Sequence, residues 1–315
     1  MSVNPEVSAK EAAGNTWEYI MRRYCKIVSA GIISLYLLLT FQNASSQSVR
    51  EITSGKPDSS DAKGSHHSLF AGLGYGSNMI YLGSTISQDQ PFGYSALTYG
   101  YRDALYATVS AVHLSDLTPF FAFYSGSLSY NHVFNSWFDI SGSISRYQVT
   151  PSLADSLFDS FFYSDLTLGF DWKLIYTKLS GGIMLSDENS GYLQIRNSRY
   201  FETPEFTKKK VTISFDPYFS ILFGPLREVI TTEGSTVRLS PPYKKGGKYG
   251  QTSPVTTIST TFSLLEMDFG VPVSFNAAKF AVEVEPGYTL PLYDNPEYPG
   301  LKGFVLIISG YLRIF

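Results

Sequence analysis

Apolar residues return at every second position through long stretches of this chain. In Phe262–Val273, Leu265, Met267, Phe269, Val271 and Val273 stand opposite Glu266, Asp268 and Gly270. In Lys279–Leu290, Phe280, Val282, Val284 and Tyr288 oppose Ala281, Glu283, Glu285 and Gly287. Val211–Phe223 alternates as strictly. So does Ser68–Gly76, with Leu69, Ala71, Leu73 and Tyr75 on one side and Gly72, Gly74 and Gly76 on the other. A period of two places such sets on opposite faces of a β-strand, whereas a helix repeats every 3.6 residues.

Weaker alternation fills the intervals: Gly93–Tyr101, Leu105–Leu114, Phe120–Val133, Trp137–Val149, Ser160–Trp172, Ile175–Ser186 and Gly191–Phe201. With Gly303–Phe315 these make twelve segments, and no helical period interrupts them. Their lengths suit a tilted membrane crossing of about 9–11 residues. The expected fold is therefore all-β: a single antiparallel transmembrane β-barrel of twelve strands over residues 68–315, with ten or fourteen strands as the bounds.

Composition favours this over a large soluble all-β protein. Charged residues make up 16% of the chain and aromatic residues another 16%, against roughly a quarter charged in an ordinary soluble domain. Mean hydropathy is nevertheless −0.03, as strands with one wet and one apolar face require. The 23 Tyr and 23 Phe suit two aromatic girdles. Connections after the second, fourth, sixth and tenth segments are short, and those at Ser77–Phe92, Thr150–Asp159, Gly224–Pro254 and Pro291–Lys302 are longer. Short turns on one side and longer loops on the other are the asymmetry of a bacterial barrel. Ser115–Pro119, Asp187–Ser190 and Glu202–Lys210 depart from it.

Upstream, Arg22, Arg23 and Lys26 precede an apolar run, Ile27–Phe41, and small residues Ala44-Ser45-Ser46 come before Gln47. This is the anatomy of a secretory signal peptide. Residues 21–46 are read as that signal, with cleavage near Gln47, and residues 1–20 as a start-site overcall or extension. Residues 47–67 are polar and turn-rich, a flexible lead-in. Cys25 lies inside the signal, so the mature chain has no thiol for a disulfide or thiolate metal site. The mature charge is slightly acidic and gives no sign of nucleic-acid binding.

The signal, the serial amphipathic strands and the terminal Phe315 resemble a Gram-negative outer-membrane β-barrel over roughly Gln47–Phe315. The resemblance implies delivery to the outer membrane, contact with its lipid and lipopolysaccharide, and a last strand read by the barrel-assembly machinery. The alternate series there is Phe315, Arg313, Tyr311, Ser309, Ile307 and Val305, and Tyr311 and Phe315 are the expected C-terminal assembly signal. Arg313 departs from the apolar pattern, although a long basic side chain can snorkel.

Alternation assigns Asp139, Asp165, Asp171, Asp216, Glu266, Asp268, Glu283 and Glu285 to the interior. Glu266, Asp268, Glu283, Glu285, Asp216 and Asp165 form the candidate acidic lumen patch. Such carboxylates select cations in a wet pore, or pair with Lys178, Arg146, Arg196 or Lys279. Gly224–Pro254 is a candidate extracellular basic loop carrying Arg227, Arg238, Lys244, Lys245 and Lys248, suited to lipopolysaccharide or an acidic ligand. His113 stands beside Ser115 and Asp116 near the outer rim, where a hydrolase of this architecture would need an aligned base. His66 and His67 lie in the lead-in, and His132 near a turn. No phosphate-binding glycine motif, zinc motif or nucleotide fingerprint is present, so no metal or cofactor is expected. Three functions fit: a narrow channel or small-solute transporter with an acidic lumen, a closed structural or surface-binding barrel, and a rim hydrolase.

Overall fold

The computed structural model describes residues 66–87, 89–154, 157–186, 189–206, 211–231, 236–239, 255–293 and 302–315. The signal segment, nearly all of the lead-in, and Lys244, Lys245 and Lys248 lie outside them. The described strands form a closed antiparallel barrel of twelve. In order these are β1 (His67–Gly76), β2 (Phe92–Tyr101), β3 (Leu105–Leu114), β4 (Phe123–Asn135), β5 (Phe138–Val149), β6 (Phe161–Asp171) and β7 (Tyr176–Leu185). β8 runs Ser190–Ser198 and resumes at Phe201–Glu202. β9 comprises Thr212–Phe215 and Tyr218–Thr231, and β10 comprises Val255–Gly270 and Val273–Asn276. β11 is Phe280–Pro291 and β12 is Gly303–Arg313. Each pairs with its neighbour in sequence, and β12 closes on β1 with Phe70 opposite Arg313 and Gly76 opposite Ile307.

Phe315 lies at that seam. Leu69 N–H donates to the Phe315 carbonyl at 3.2 Å, and Ile314 N–H to the Leu69 carbonyl at 2.8 Å. β1 begins one residue earlier than expected, because His67 already pairs with Tyr101 and sits against the Tyr99 and Tyr101 rings. The second strand ends on a tight hairpin in which Arg102 and Asp103 take φ of 54° and 51°. Two consecutive positive φ values are what a type I′ turn needs to match the strand twist.

The outer face carries the apolar set. Leu73, Leu97, Val109, Leu128, Ile144, Leu166 and Ile308 are all exposed there, Leu73 to 67%. Aromatic residues flank them: Tyr99, Tyr130, Phe134 and Trp137 towards the turn end, Tyr75, Tyr124, Phe162 and Phe304 towards the loop end. From Tyr124 to Phe134 is about 33 Å along a strand, or about 25 Å of height at a tilt near 40°, the height of a membrane-facing band.

Three strands bend at one level. β8, β9 and β10 are interrupted at Arg199-Tyr200, Asp216-Pro217 and Val271-Pro272, and Pro286 lies in β11 beside them. Proline removes a ladder donor, yet the sheet stays joined. Arg199 N–H meets the Pro217 carbonyl at 3.1 Å, Asp216 N–H that of Pro272 at 3.1 Å, and Val271 N–H that of Pro286 at 3.0 Å.

The Ser77–Phe92 connection folds inward instead of projecting outward as an outer loop would. Its short hairpin, Ile80–Tyr81 with Ser84–Thr85, buries Met79, Tyr81, Leu82 and Ile86 inside the loop-end half of the barrel. Phe92, Leu114, Phe123, Tyr147, Phe161, Tyr163, Met184 and Leu265 meet it from the wall, and Leu153, Leu157 and Phe158 from the β5–β6 connection. The barrel thus has an apolar core where a wide pore would be open. A second difference lies in the expected basic loop. β9 continues to Thr231, and Thr236–Leu239 pairs back on it with Glu228 opposite Arg238. Arg227 and Arg238 therefore sit on paired strands.

Candidate functional site

Below the plug, inward residues become polar. Cross-strand register aligns Arg196 of β8 with Ser220 of β9, Ser220 with Asp268 of β10, and Asp268 with Thr289 of β11. One step towards the loop end, Gln194, Leu222 and Glu266 form the next row. One step the other way, Tyr218 lies opposite Gly270, and Gly270 opposite Gly287. The alternation of each strand thus converts single acidic and basic positions into a two-dimensional polar patch.

Tyr218 organises that patch. Its ring lies across Gly270, where an added Cβ would come within 2.4 Å of it. The Arg196 guanidinium sits over the ring, 3.6 Å from the centroid, in a cation–π contact. Its hydroxyl donates to Glu285 at 2.7 Å. Tyr94 crosses Gly74 in the same manner and bonds Ser309 at 2.9 Å and Tyr311 at 3.1 Å. Glycine on one strand and a tyrosine on the next is how the small face of β1 is used.

Arg196, Glu266, Asp268, Glu285, Tyr94 and Tyr218 share a cavity of about 110 Å³, capped by Asn78 and Met79 of the plug. Asp268 meets both Glu266 and Thr289. Around this space three buried polar atoms have no hydrogen-bond partner among the described residues: Glu266 Oε2, Arg196 Nε and Ser220 Oγ. Native interiors leave few polar groups unpaired, and each costs about 1–3 kcal/mol.

The plug above is held by its own polar groups. Asn78 Oδ1 accepts from Thr85 and Ser87, both at 2.7 Å, and its Nδ2 donates to Asp89 at 2.6 Å. Ser87 Oγ receives Met79 N–H at 2.9 Å, and Tyr293 donates to the Gly83 carbonyl at 2.5 Å. Leu82 and Gly83 take φ of 46° and 83° at the hairpin tip. A leucine in the left-handed region is uncommon, and here its side chain is buried in the core.

The expected acidic patch divides. Glu266, Asp268 and Glu285 line the cavity. Glu283 is buried outside that lining and accepts from Ser274 at 2.7 Å. Asp216 is buried at the strand bend. Asp165 belongs to the opposite wall, with Ser143 and Thr167 at 3.5 and 3.2 Å. Asp139 accepts from Tyr176 at 2.7 Å, and Asp171 caps a turn. Of the proposed cationic partners, Arg196 is the one at the cavity. Arg146 corrects the reading: it is on the outer face, 4.4 Å over the Phe162 ring. Tyr311 faces the interior as well, 4% exposed, while Leu306, Ile308 and Leu312 occupy the outer face of β12. His113 also faces out. It stacks on Phe120 at 4.3 Å and bonds the Phe120 carbonyl at 2.6 Å. His132 lies on the outer face between Tyr130 and Phe134.

No family model matches the chain, and no curated protein matches it. Solved structures do. LpxR from Salmonella typhimurium matches at 7% identity over 77% of this chain and 99% of its own, with a TM-score of 0.42. The NanC porin matches at 7% identity over 78% and 98%, at 0.40. The COG4313 outer membrane channel from Pseudomonas putida F1 matches at 10% identity over 81% and 100%, at 0.29. These are outer-membrane β-barrels.

Proposed function

We propose that this protein is an outer-membrane barrel that admits a small polar solute by a narrow, gated route, with the inward-folded first loop as the gate. The exposed apolar belt between two aromatic girdles supports membrane residence, since a soluble protein rarely exposes so large an apolar surface. The observation that carries the reading is a polar cavity lined by buried charged side chains, two of them with an unsatisfied atom among the described residues, beneath an apolar plug. A wall built for closure alone would not bury charge at such cost. Lipid, lipopolysaccharide and the assembly machinery are the partners this reading implies, with a small-molecule ligand carried inside.

Planar-bilayer recording tests it. The intact protein should show rare, small openings. A variant with Asn78–Ser87 replaced by a short glycine-serine linker should conduct steadily. If neither conducts or passes solute from liposomes, the alternative stands: a closed barrel working through its outer surface, which the packed loop-end core favours.

A further inference from the structure

We infer that the cavity under the plug is a binding site for a small zwitterion, an ammonium-bearing solute that also carries a carboxylate. This rests on the reading of the cavity as a stopping point for a polar solute. The two charged side chains with an unpaired atom there, Glu266 and Arg196, are both more than nine-tenths buried and opposite in sign. Glu266 Oε2 lacks a donor and Arg196 Nε lacks an acceptor, so the missing complement is one ammonium and one carboxylate. Ser220 Oγ, unpaired in the row between Arg196 and Asp268 and diagonal to Glu266, suits a solute that bridges the two.

The surrounding groups sharpen the choice. Glu266 and Asp268 are hydrogen-bonded carboxyls that share a proton, and a bound cation takes the place of that proton between them. Glu285 is partly satisfied by Tyr218 and Arg196 is held flat over that ring. Two charge positions are thereby fixed before a ligand arrives, which favours a rigid short solute. A bare metal ion fits less well, because no group of three or more His, Cys, Asp or Glu among the described residues is arranged to hold one. Size limits the solute further. A cavity of 150 Å³ takes one benzene, so about 110 Å³ takes roughly four to five non-hydrogen atoms, the size of glycine.

Calorimetric titration of the full-length protein in nanodiscs tests the inference with four probes: glycine, alanine, n-propylammonium and propionate. Glycine should bind, alanine should bind more weakly, n-propylammonium should bind at least about tenfold more weakly than glycine, and propionate should not bind. E266Q should weaken the amino acids about tenfold or more. R196Q should bring the amino acids down to n-propylammonium. Because a charge change in a buried site can impair assembly, S220A serves as a small-volume variant and should weaken the amino acids several-fold. Heat-modifiable gel mobility checks that each variant is folded. Binding of no probe by the folded wild type, equal binding of propionate, or amino-acid binding unchanged in folded E266Q would overturn the proposal. Liposome flux of the plug-deleted variant separates the two readings. Flux without zwitterion preference removes this inference and leaves the transport reading. Zwitterion binding without flux supports the site and removes transport.

Discussion

Tyr218 and Gly270 show how one small residue can set the geometry of a charged site. The ring fills the space that a side chain at 270 would take, and only in that position does it lie under Arg196 while reaching Glu285. Gly270→Val should therefore lift the ring, cost about 1–3 kcal/mol of stability as an overpacked core does, and release Arg196. Urea unfolding in liposomes gives the stability, and amino-acid titration the loss of binding. Tyr218→Phe is the complementary variant. It keeps the ring and removes a hydrogen bond to a carboxylate, worth about 1.5–3 kcal/mol. A Gly270→Val protein as stable as wild type would mean that the sheet accommodates the ring elsewhere. Sequence alternation put Glu266, Asp268 and Glu285 on inward faces. It could not single out Tyr218 or Tyr94, because an inward tyrosine reads like any other residue of the polar face until its glycine partner on the next strand is known.

At the scale of elements, the first loop bears most on the proposed gating. Its tip combines a left-handed Leu82, Gly83 at φ 83° and an ideal Cβ position 3.3 Å from Leu265 Cβ. Gly83→Val would strain the backbone and press on β10, so the hairpin should leave its seat while the barrel wall, held by its own ladders, stays intact. The expected outcome is raised bilayer conductance with unchanged heat-modifiable mobility; unaltered conductance would show that the hairpin is not the gate. Strands are legible because a period of two is imposed by the two solvents they face, and the bent β9 keeps it, whereas a bulge in β10 turns Leu265, expected on the apolar outer face, inward beside Glu266. The loop is less legible. Met79, Ile80, Tyr81, Leu82 and Ile86 are an apolar cluster in a stretch flanked by polar residues, which is the signal for inward folding, but lacking periodicity it reads as an ordinary connection. Arg227 illustrates the converse: charge in a long connection suggests a solvated loop, whereas backbone pairing extends β9 to Thr231.

For the molecule as a whole, the division between an apolar exterior and a polar lower interior is the property that the twelve-strand closure exists to support. The count was readable from alternation, and the seam from an even number of strands returning Phe315 to β1. The facing of the last strand was harder, because Tyr311 is apolar enough for either side. Its hydrogen bond to Tyr94 is a long-range contact that local pattern does not encode. The two faces should answer substitution in opposite ways. Val109 is 60% exposed at the middle of β3 on the outer face, so Val109→Arg places a cation against hydrocarbon and should cost about 2–4 kcal/mol. Ser127 of β4 has the opposite parity, pairs with Thr108 and Ser145, and lies on the wall away from the Arg196 cavity. Ser127→Arg should therefore cost much less, since the guanidinium enters a polar interior. Urea titration of both variants in the same liposomes measures the difference directly. Equal penalties would mean that the exterior of this barrel does not face lipid, and with it the membrane reading would fall.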